Sequence, residues 1–268
     1  MGKDTLVKPG TRVRLANHDP DENGGLAKDD PEVEKRLGAA RERMGDLQAR
    51  LYAESKQALL IVLQAMDAGG KDGTIRHVMR GVNPQGCSVT SFKAPTTEEL
   101  AHDFLWRIHQ YVPAKGLITV FNRSHYEDVL IARVRKLVPK SVWGKRYAQI
   151  NAFERLLTES GTRILKLYLH ISEDEQKRRL QARLSNPHKG WKFNPQDLKE
   201  REAWDRYMAV YEDALSKCST AYAPWHIIPA NRKWYRNLLV AELVADTLEG
   251  MDPKWPEPVC DLSEVTIE

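Results

Sequence analysis

Between residues 64 and 74 the chain reads Gln64-Ala65-Met66-Asp67-Ala68-Gly69-Gly70-Lys71-Asp72-Gly73-Thr74, glycines with a lysine and two acids set among them. Such a run suits phosphate. Glycines let backbone N–H groups turn inward around phosphate oxygens, a helix starting near Asp72 adds the positive end of its dipole, and Lys71 supplies a mobile cation. Ala68, Gly69, Gly70, Asp72, Gly73 and Thr74 are therefore candidate phosphate-binding residues, with Lys71 a catalytic cation and Asp67 a catalytic metal ligand. The match to G-x-x-x-x-G-K-S/T is imperfect, because Ala65 replaces the first glycine and Asp72 the hydroxyl residue that touches magnesium. An acid beside the lysine repels phosphate unless a divalent cation intervenes, so Asp67 with Asp72 implies Mg²⁺ or Mn²⁺ as a bridge. The plain alternative is a glycine-rich strand-to-helix turn without chemistry.

A second cluster, Asn122-Arg123-Ser124-His125-Tyr126-Glu127-Asp128, follows the apolar residues 117–121. In an open parallel sheet, the carboxyl end of a neighbouring strand faces the same crevice as a phosphate loop. Asn122 and Arg123 are then catalytic candidates, Arg123 reaching a transferring phosphoryl group, while Glu127 and Asp128 serve metal, ribose or water. The two acids also suit the first turn of a helix, but a cation there is disfavoured, which leaves Arg123 unexplained. A third segment, residues 173–193, is an arginine-rich helix leading into a loop with Pro187 and Gly190. It has the character of a lid that excludes water and brings a cation to the transferred group, and Arg183 is the candidate finger. Lys177 and Arg178 suit a solvated face equally well.

The net charge is small, 41 Lys plus Arg against 37 Asp plus Glu, which does not by itself indicate nucleic-acid binding. Its distribution says more. Residues 131–146 hold Arg133, Arg135, Lys136, Lys140, Lys145 and Arg146 without an acid, so Arg133 and Lys136 are candidate contacts for an extended anion, although several of these cations suit plain solvation too. Cys87, Cys218 and Cys260 form no CxxC pair, so neither a disulfide framework nor a thiolate zinc site is expected. The opening residues lack a secretory apolar run and residues 58–65 are too short to cross a bilayer, so a cytoplasmic protein without a membrane partner is expected. His77 and His170 are expected to be packing or surface residues, and Trp191, Trp204, Trp225 and Trp234 core residues. His125 lies inside the second cluster, but a covalent phosphohistidine calls for ping-pong kinetics that a sequence does not display.

These groups need a frame. Apolar runs at 58–65, 88–92, 117–122, 164–170 and 226–229 read as strands, separated by helical patterns at 96–111, 124–136, 142–159, 173–185 and 198–217. Their alternation predicts an α/β fold, a doubly wound, mostly parallel five-stranded sheet. Residues 1–56 are an irregular arm and an amphipathic helix, 57–256 the core with a helical lid at about 173–200, and 257–268 a Pro-limited tail. The apolar stripe of the first helix and the tail offer faces for a homo-oligomer, dimer or tetramer.

In order and wording these segments resemble the polyphosphate kinase 2 family, itself similar to thymidylate kinases within the P-loop fold. The marks are residues 66–74, 122–128 and 191–193, with Trp204-Asp205-Arg206-Tyr207, Ala223-Pro224-Trp225 and Ile228-Pro229-Ala230-Asn231 also looking like the family's, so that the likeness spans about 31–256. The resemblance implies reversible transfer of the terminal phosphoryl of inorganic polyphosphate to AMP or ADP, or to guanine nucleotides, with Mg²⁺. It assigns metal to Asp67, phosphates to Lys71 and the transferring group to Arg123 and Arg183. Many members have Asp at Asn122, and Trp, Asn and Arg at His125, Glu127 and Asp128; the departure looks like the subgroup that accepts both AMP and ADP, and it removes an acid at position 122. Two other readings stand beside this one: an ATP-dependent nucleoside monophosphate kinase, which does not need the long basic run, and a polyanion-binding module that has lost catalysis, which does not need Asp67.

Overall fold

The apolar run at 58–64 has no polar interruption before Gln64, and the structure, a computed structural model describing residues 5–188, 190–265 and 267, shows the reason. Every residue of this strand, β1 (Ala58–Gln64), is buried, because helices cover both faces of the sheet. In chain order the elements are α1 (Pro31–Glu54), β1, α2 (Lys71–Val78), β2 (Cys87–Ser91), α3 (Thr97–Leu100), α4 (Trp106–His109), β3 (Ile118–Asn122), α5 (Ile131–Val134), α6 (Lys140–Glu159), β4 (Thr162–His170), α7 (Glu173–Leu184), α8 (Gln196–Glu202), α9 (Trp204–Lys217), β5 (Trp225–Pro229) and α10 (Lys233–Met251). The five strands are all parallel in the order β2-β3-β1-β4-β5. Successive side chains of a strand point to opposite faces. Leu60, Val62, Phe121 and Tyr168 accordingly pack with Ile150, Phe153 and Tyr211 of α6 and α9, whereas Leu59, Ile61, Leu63 and Leu167 pack with α1 and α10.

Helix α1 starts where Asp30 accepts a hydrogen bond from Glu32 N, with Pro31 in the first turn. Its stripe, Val33, Leu37, Ala40, Met44 and Leu51, is buried within this chain, and Arg36 makes two 2.8 Å hydrogen bonds to Glu242 of α10. That face is therefore not left over for a second copy. The arm before it is tied down: Leu6 pairs antiparallel with His226, Val7 N donates to Trp225 O at 2.8 Å, and Ile227 N donates to Thr5 O at 2.9 Å. Val7, Val13 and Leu15 enter the core.

Three helical patterns break. The segment 96–111 forms only α3 and α4, because Asp103 accepts from Leu105 N at 2.9 Å and restarts the turn. The segment 124–136 becomes a 3-10 turn, His125–Asp128, capped by Ser124, and then the short α5. Between α8 and α9 the helix is interrupted at Ala203 (φ −97°, ψ 16°). No helix among the described residues is long and apolar enough to cross a membrane.

One polar residue interrupts the apolar β4. Lys166 is fully buried and donates to Glu154 Oε2 (2.6 Å), the Tyr126 hydroxyl (2.8 Å) and Cys218 O (2.6 Å). The Tyr126 hydroxyl donates to Glu154 Oε1 at 2.7 Å, and His125 Nε2 lies 3.2 Å from the same oxygen. Burial pushes the Glu154 carboxyl up, but Lys166 and His125 outweigh it and hold it below the usual carboxylate range. This network fixes the 3-10 turn after β3 from beneath. Lys166→Met strands a buried carboxylate and should cost about 3–5 kcal/mol in urea denaturation, while Lys166→Met with Glu154→Leu should recover most of it; equal losses in the single and double variants would mean that the pair is not the cause.

Candidate phosphoryl-transfer site

The loop from Ala65 to Gly70 joins the carboxyl end of β1 to α2. Its turn needs left-handed backbone at Ala68 (φ 60°) and Gly70 (φ 104°), and a Cβ on Gly69 would fall 2.5 Å from that of Ala65. Gly70 caps α2, so the loop meets a helix start. Lys71 is buried and folds back, its Nζ donating to Ala65 O at 2.9 Å. Burial lowers its pKa and Arg123 adds to that, against Asp67, Glu127 and Asp72. Thr74 is also buried, and its hydroxyl donates to Gly70 O at 3.1 Å, so it serves the helix turn rather than facing the crevice. Gly73 lies one turn into α2.

Register brings the second cluster alongside. Leu63 of β1 pairs with Asn122 of β3, and Arg123 N donates to Leu63 O at 3.1 Å. Arg123 is held at φ 64° and its guanidinium donates to Asp67 Oδ1 at 2.7 Å. Asn122 Nδ2 donates to Asp72 Oδ1 at 2.9 Å, so this amide bonds an acid without repelling it. Gln64 fits its neighbours best with its oxygen toward Ser124 and its nitrogen 3.1 Å from Glu127 Oε1, which aims the Glu127 carboxylate. Asp128 faces the other way: Arg146 donates to both its carboxylate and its carbonyl at 3.0 Å. Burial raises its pKa, while Arg146 and Arg107 pull it down. His125 is fully buried against Glu154, in no position to act as a nucleophile on an exposed phosphate.

The arginine-rich segment arches over the loop. Arg183 of α7 donates to Asp197 Oδ2 of α8 at 3.2 Å. The Asp197 carboxyl is raised by burial and then by Asp67, against Arg183, Arg123 and Lys71. One turn earlier, Arg179 donates to Ala68 O (3.1 Å), Gly69 O (2.9 Å), Ala230 O (2.5 Å) and Asn231 O (3.1 Å), and to Glu175 at 2.6 Å. Gln176 Nε2 donates to Asp67 O at 3.0 Å.

Asp67, Lys71, Asn122, Arg123, Asp72, Glu127 and Arg183 are thus brought together. Arg133 is not: it pairs with Asp213, bonds the Tyr147 hydroxyl (3.1 Å) and lies 4.4 Å over the Trp143 ring. That is a brace between α5, α6 and α9. Lys136 is exposed at the end of α5, as are Lys140 and Lys145, whereas Arg135 pairs with Glu200. Lys189 of the lid phrase lies outside the described residues. Trp225 is 2% exposed but Trp191, expected in the core, is 78% exposed on the lid. Sequence reasoning missed Gln64, Gln176, Arg179 and Asp197. For Arg179 a signal existed, since it shares a helix face with Glu175 and Arg183 at four-residue spacing; Asp197 looks like any acid in a first helical turn.

An all-parallel sheet with a phosphate loop after its central strand, an arginine at the end of the next strand and an arginine-bearing lid defines a P-loop kinase. Residues 27–256 match the family model of polyphosphate kinase 2. The chain is 52% identical over 262 residues to an AMP/ADP-polyphosphate phosphotransferase of Meiothermus ruber, covering 98% of each, and 49% identical to an ADP-polyphosphate phosphotransferase of Rhodopseudomonas palustris, covering 81% of this chain and 79% of that one. The crystal structure of polyphosphate kinase 2 from Arthrobacter aurescens TC1 superposes with a TM-score of 0.92 at 46% identity, over 97% of this chain and 92% of the other. This chain belongs to the polyphosphate kinase 2 family.

Gly70→Ala should disable the site, since the new Cβ would stand 2.1 Å from an Arg236 nitrogen on a φ of 104°. The expected loss of stability is about 1–3 kcal/mol, with a rise in donor KM of tenfold or more; thermal melting and initial rates with unchanged values would show that the loop tolerates another conformation.

Proposed function

We propose that this protein reversibly transfers the terminal phosphoryl group of inorganic polyphosphate to AMP and to ADP. The observation that carries the proposal is the convergence of Asp67, Lys71 and Arg123 at the mouth of the loop with Arg183 and Asp197 above it, in a chain half identical along nearly its whole length to an enzyme named for both acceptors.

Transfer of this kind asks for positioning and charge stabilisation more than for covalent chemistry. Donor phosphates would lie on the loop N–H groups and the start of α2. Lys71 would leave its contact with Ala65 O for a phosphate oxygen, and Arg123 would exchange Asp67 for the phosphoryl group in flight. Arg183, on the lid, would complete the ring of cations as the lid excludes water. Glu127, aimed by Gln64, and Asn122 would orient the acceptor.

The donor set fits a divalent cation. Mg²⁺ is held by one or two carboxylates together with substrate phosphates, and Asp67 with Asp197 offers such a pair; burial first, and then Asp67, raises the Asp197 pKa. When bound, the ion would offset phosphate charge and set the terminal group in line. The exposed Lys136, Lys140 and Lys145 suit the distal part of a long anion. Free thiols at Cys87, Cys218 and Cys260 agree with a reducing cytoplasm, and exposed Leu137, Leu156 and Trp255 keep a homo-oligomer within the proposal.

With Mg²⁺ and long-chain polyphosphate, ATP should form from AMP and from ADP, and Lys71→Ala or Arg123→Ala should lower the rate at least about a hundredfold. ADP formed from AMP plus ATP, with no turnover of polyphosphate, would replace the proposal with an ordinary monophosphate kinase. Glu127→Asn should shift the ratio of AMP to ADP turnover; an unchanged ratio in competition assays would remove Glu127 from acceptor choice.

A further inference from the structure

Two guanidinium groups pack against the phosphate loop, and they are neutralised unequally. Arg179 has Glu175 at 2.6 Å and four backbone carbonyls. Arg236, in the first turn of α10, is 2% exposed, and its Nε and one terminal nitrogen both donate to the Asn237 side-chain oxygen, at 3.2 and 2.8 Å. Among the described residues it has no carboxylate partner. Its other terminal nitrogen faces Gly70, where an added Cβ would lie 2.1 Å away, and a Cβ on Gly73 would lie 3.5 Å from the nitrogen that bonds Asn237. Arg236 thus presses against both the last residue of the loop and the first turn of α2.

A buried cation without a counter-charge opposes folding in the empty protein. Where an anion binds next to it, the same charge becomes an attraction across a medium of low dielectric. The flank on which it sits says which anion. Arg179 and Arg236 occupy the β4–β5 side of the loop, away from Asn122, Glu127 and Asp128 at the end of β3. On that side Arg179 spans the backbone segments 68–69 and 230–231 and Arg236 faces Gly70, so two guanidinium groups border this flank, a setting that suits a chain of phosphates.

We propose that Arg236 is a positioning residue for the donor: a buried, uncompensated charge behind the loop that raises affinity for a linear inorganic phosphate chain without touching it. This rests on the reading of the loop as the donor site. Burial and Arg179 lower the Arg236 pKa to about 9, in keeping with a cation that lacks an acid.

The test uses the full-length protein with Arg236→Met, which keeps length and loses charge, and Arg236→Lys, which keeps charge. Three quantities are compared with wild type: ligand-free melting temperature, the Kd for tripolyphosphate by calorimetry, and KM for polyphosphate and for AMP. The expected result for Arg236→Met is a melting temperature unchanged or raised, with tripolyphosphate Kd and polyphosphate KM up about tenfold and AMP KM within about twofold. Arg236→Lys should retain most of the affinity. A lowered melting temperature with unchanged tripolyphosphate affinity would reduce Arg236 to a structural tie and overturn the proposal. An equal rise in both KM values would overturn it too, as the mark of a collapsed loop. Wild-type protein that fails to bind tripolyphosphate would remove the donor reading itself, and this proposal with it.

Discussion

Arg179 satisfies carbonyls that the phosphate loop turns away from its ligand. A backbone that gathers N–H groups toward an anion must send some of its C=O groups elsewhere, and buried carbonyls need donors. Here one planar guanidinium serves Ala68 and Gly69 of the loop and Ala230 and Asn231 after β5, while Glu175 balances its charge. The shape of the loop thus depends on α7 and on the end of β5 as much as on its own glycines. The glycines permit the turn, and the arginine selects it.

That dependence links lid and floor. Arg183 and Arg179 share α7 one turn apart, so any tilt of this helix that moves Arg183 also disturbs carbonyls of the phosphate loop. Asp197 gives Arg183 a resting partner in α8, and Gln176 ties the same helix to Asp67 O. The second cluster is held independently, from below, by the Lys166–Glu154–Tyr126 network. The phosphate loop and the second cluster therefore stand on separate supports, joined at the Arg123–Asp67 contact.

The central strand β1 was easy to read because both faces of the sheet are covered there, which leaves an uninterrupted apolar run with a sharp end; the edge strand β2 is polar and mostly exposed. Helices near the site were harder. Residues 96–111 and 124–136 have helical spacing, but side-chain oxygens of Asp103 and Ser124 redirect the backbone, a local competition that periodicity does not register. Asp67, Lys71, Asn122 and Arg123 stood out because glycine spacing or a strand end marked their places. The pairing of Arg133 was not legible, since a cation in a basic run looks the same whether it faces solvent or, as here, pairs with Asp213 from a helix some eighty residues on. Asp197 had no local mark at all; only the folded-back lid brings it near Asp67.

The arm has a consequence of timing. Thr5 and Val7 are hydrogen-bonded to β5, and the Thr5 hydroxyl lies 2.9 Å from His226 Nδ1, a contact across 221 residues of chain. During synthesis Thr5 and Val7 emerge long before the strand they must join exists. Until then Val7, Val13 and Leu15 have no core to enter, and afterwards residues 5–7 cover an edge that would otherwise invite pairing with another chain. This segment is therefore among the last to settle, and its arrival covers the β5 edge of the sheet.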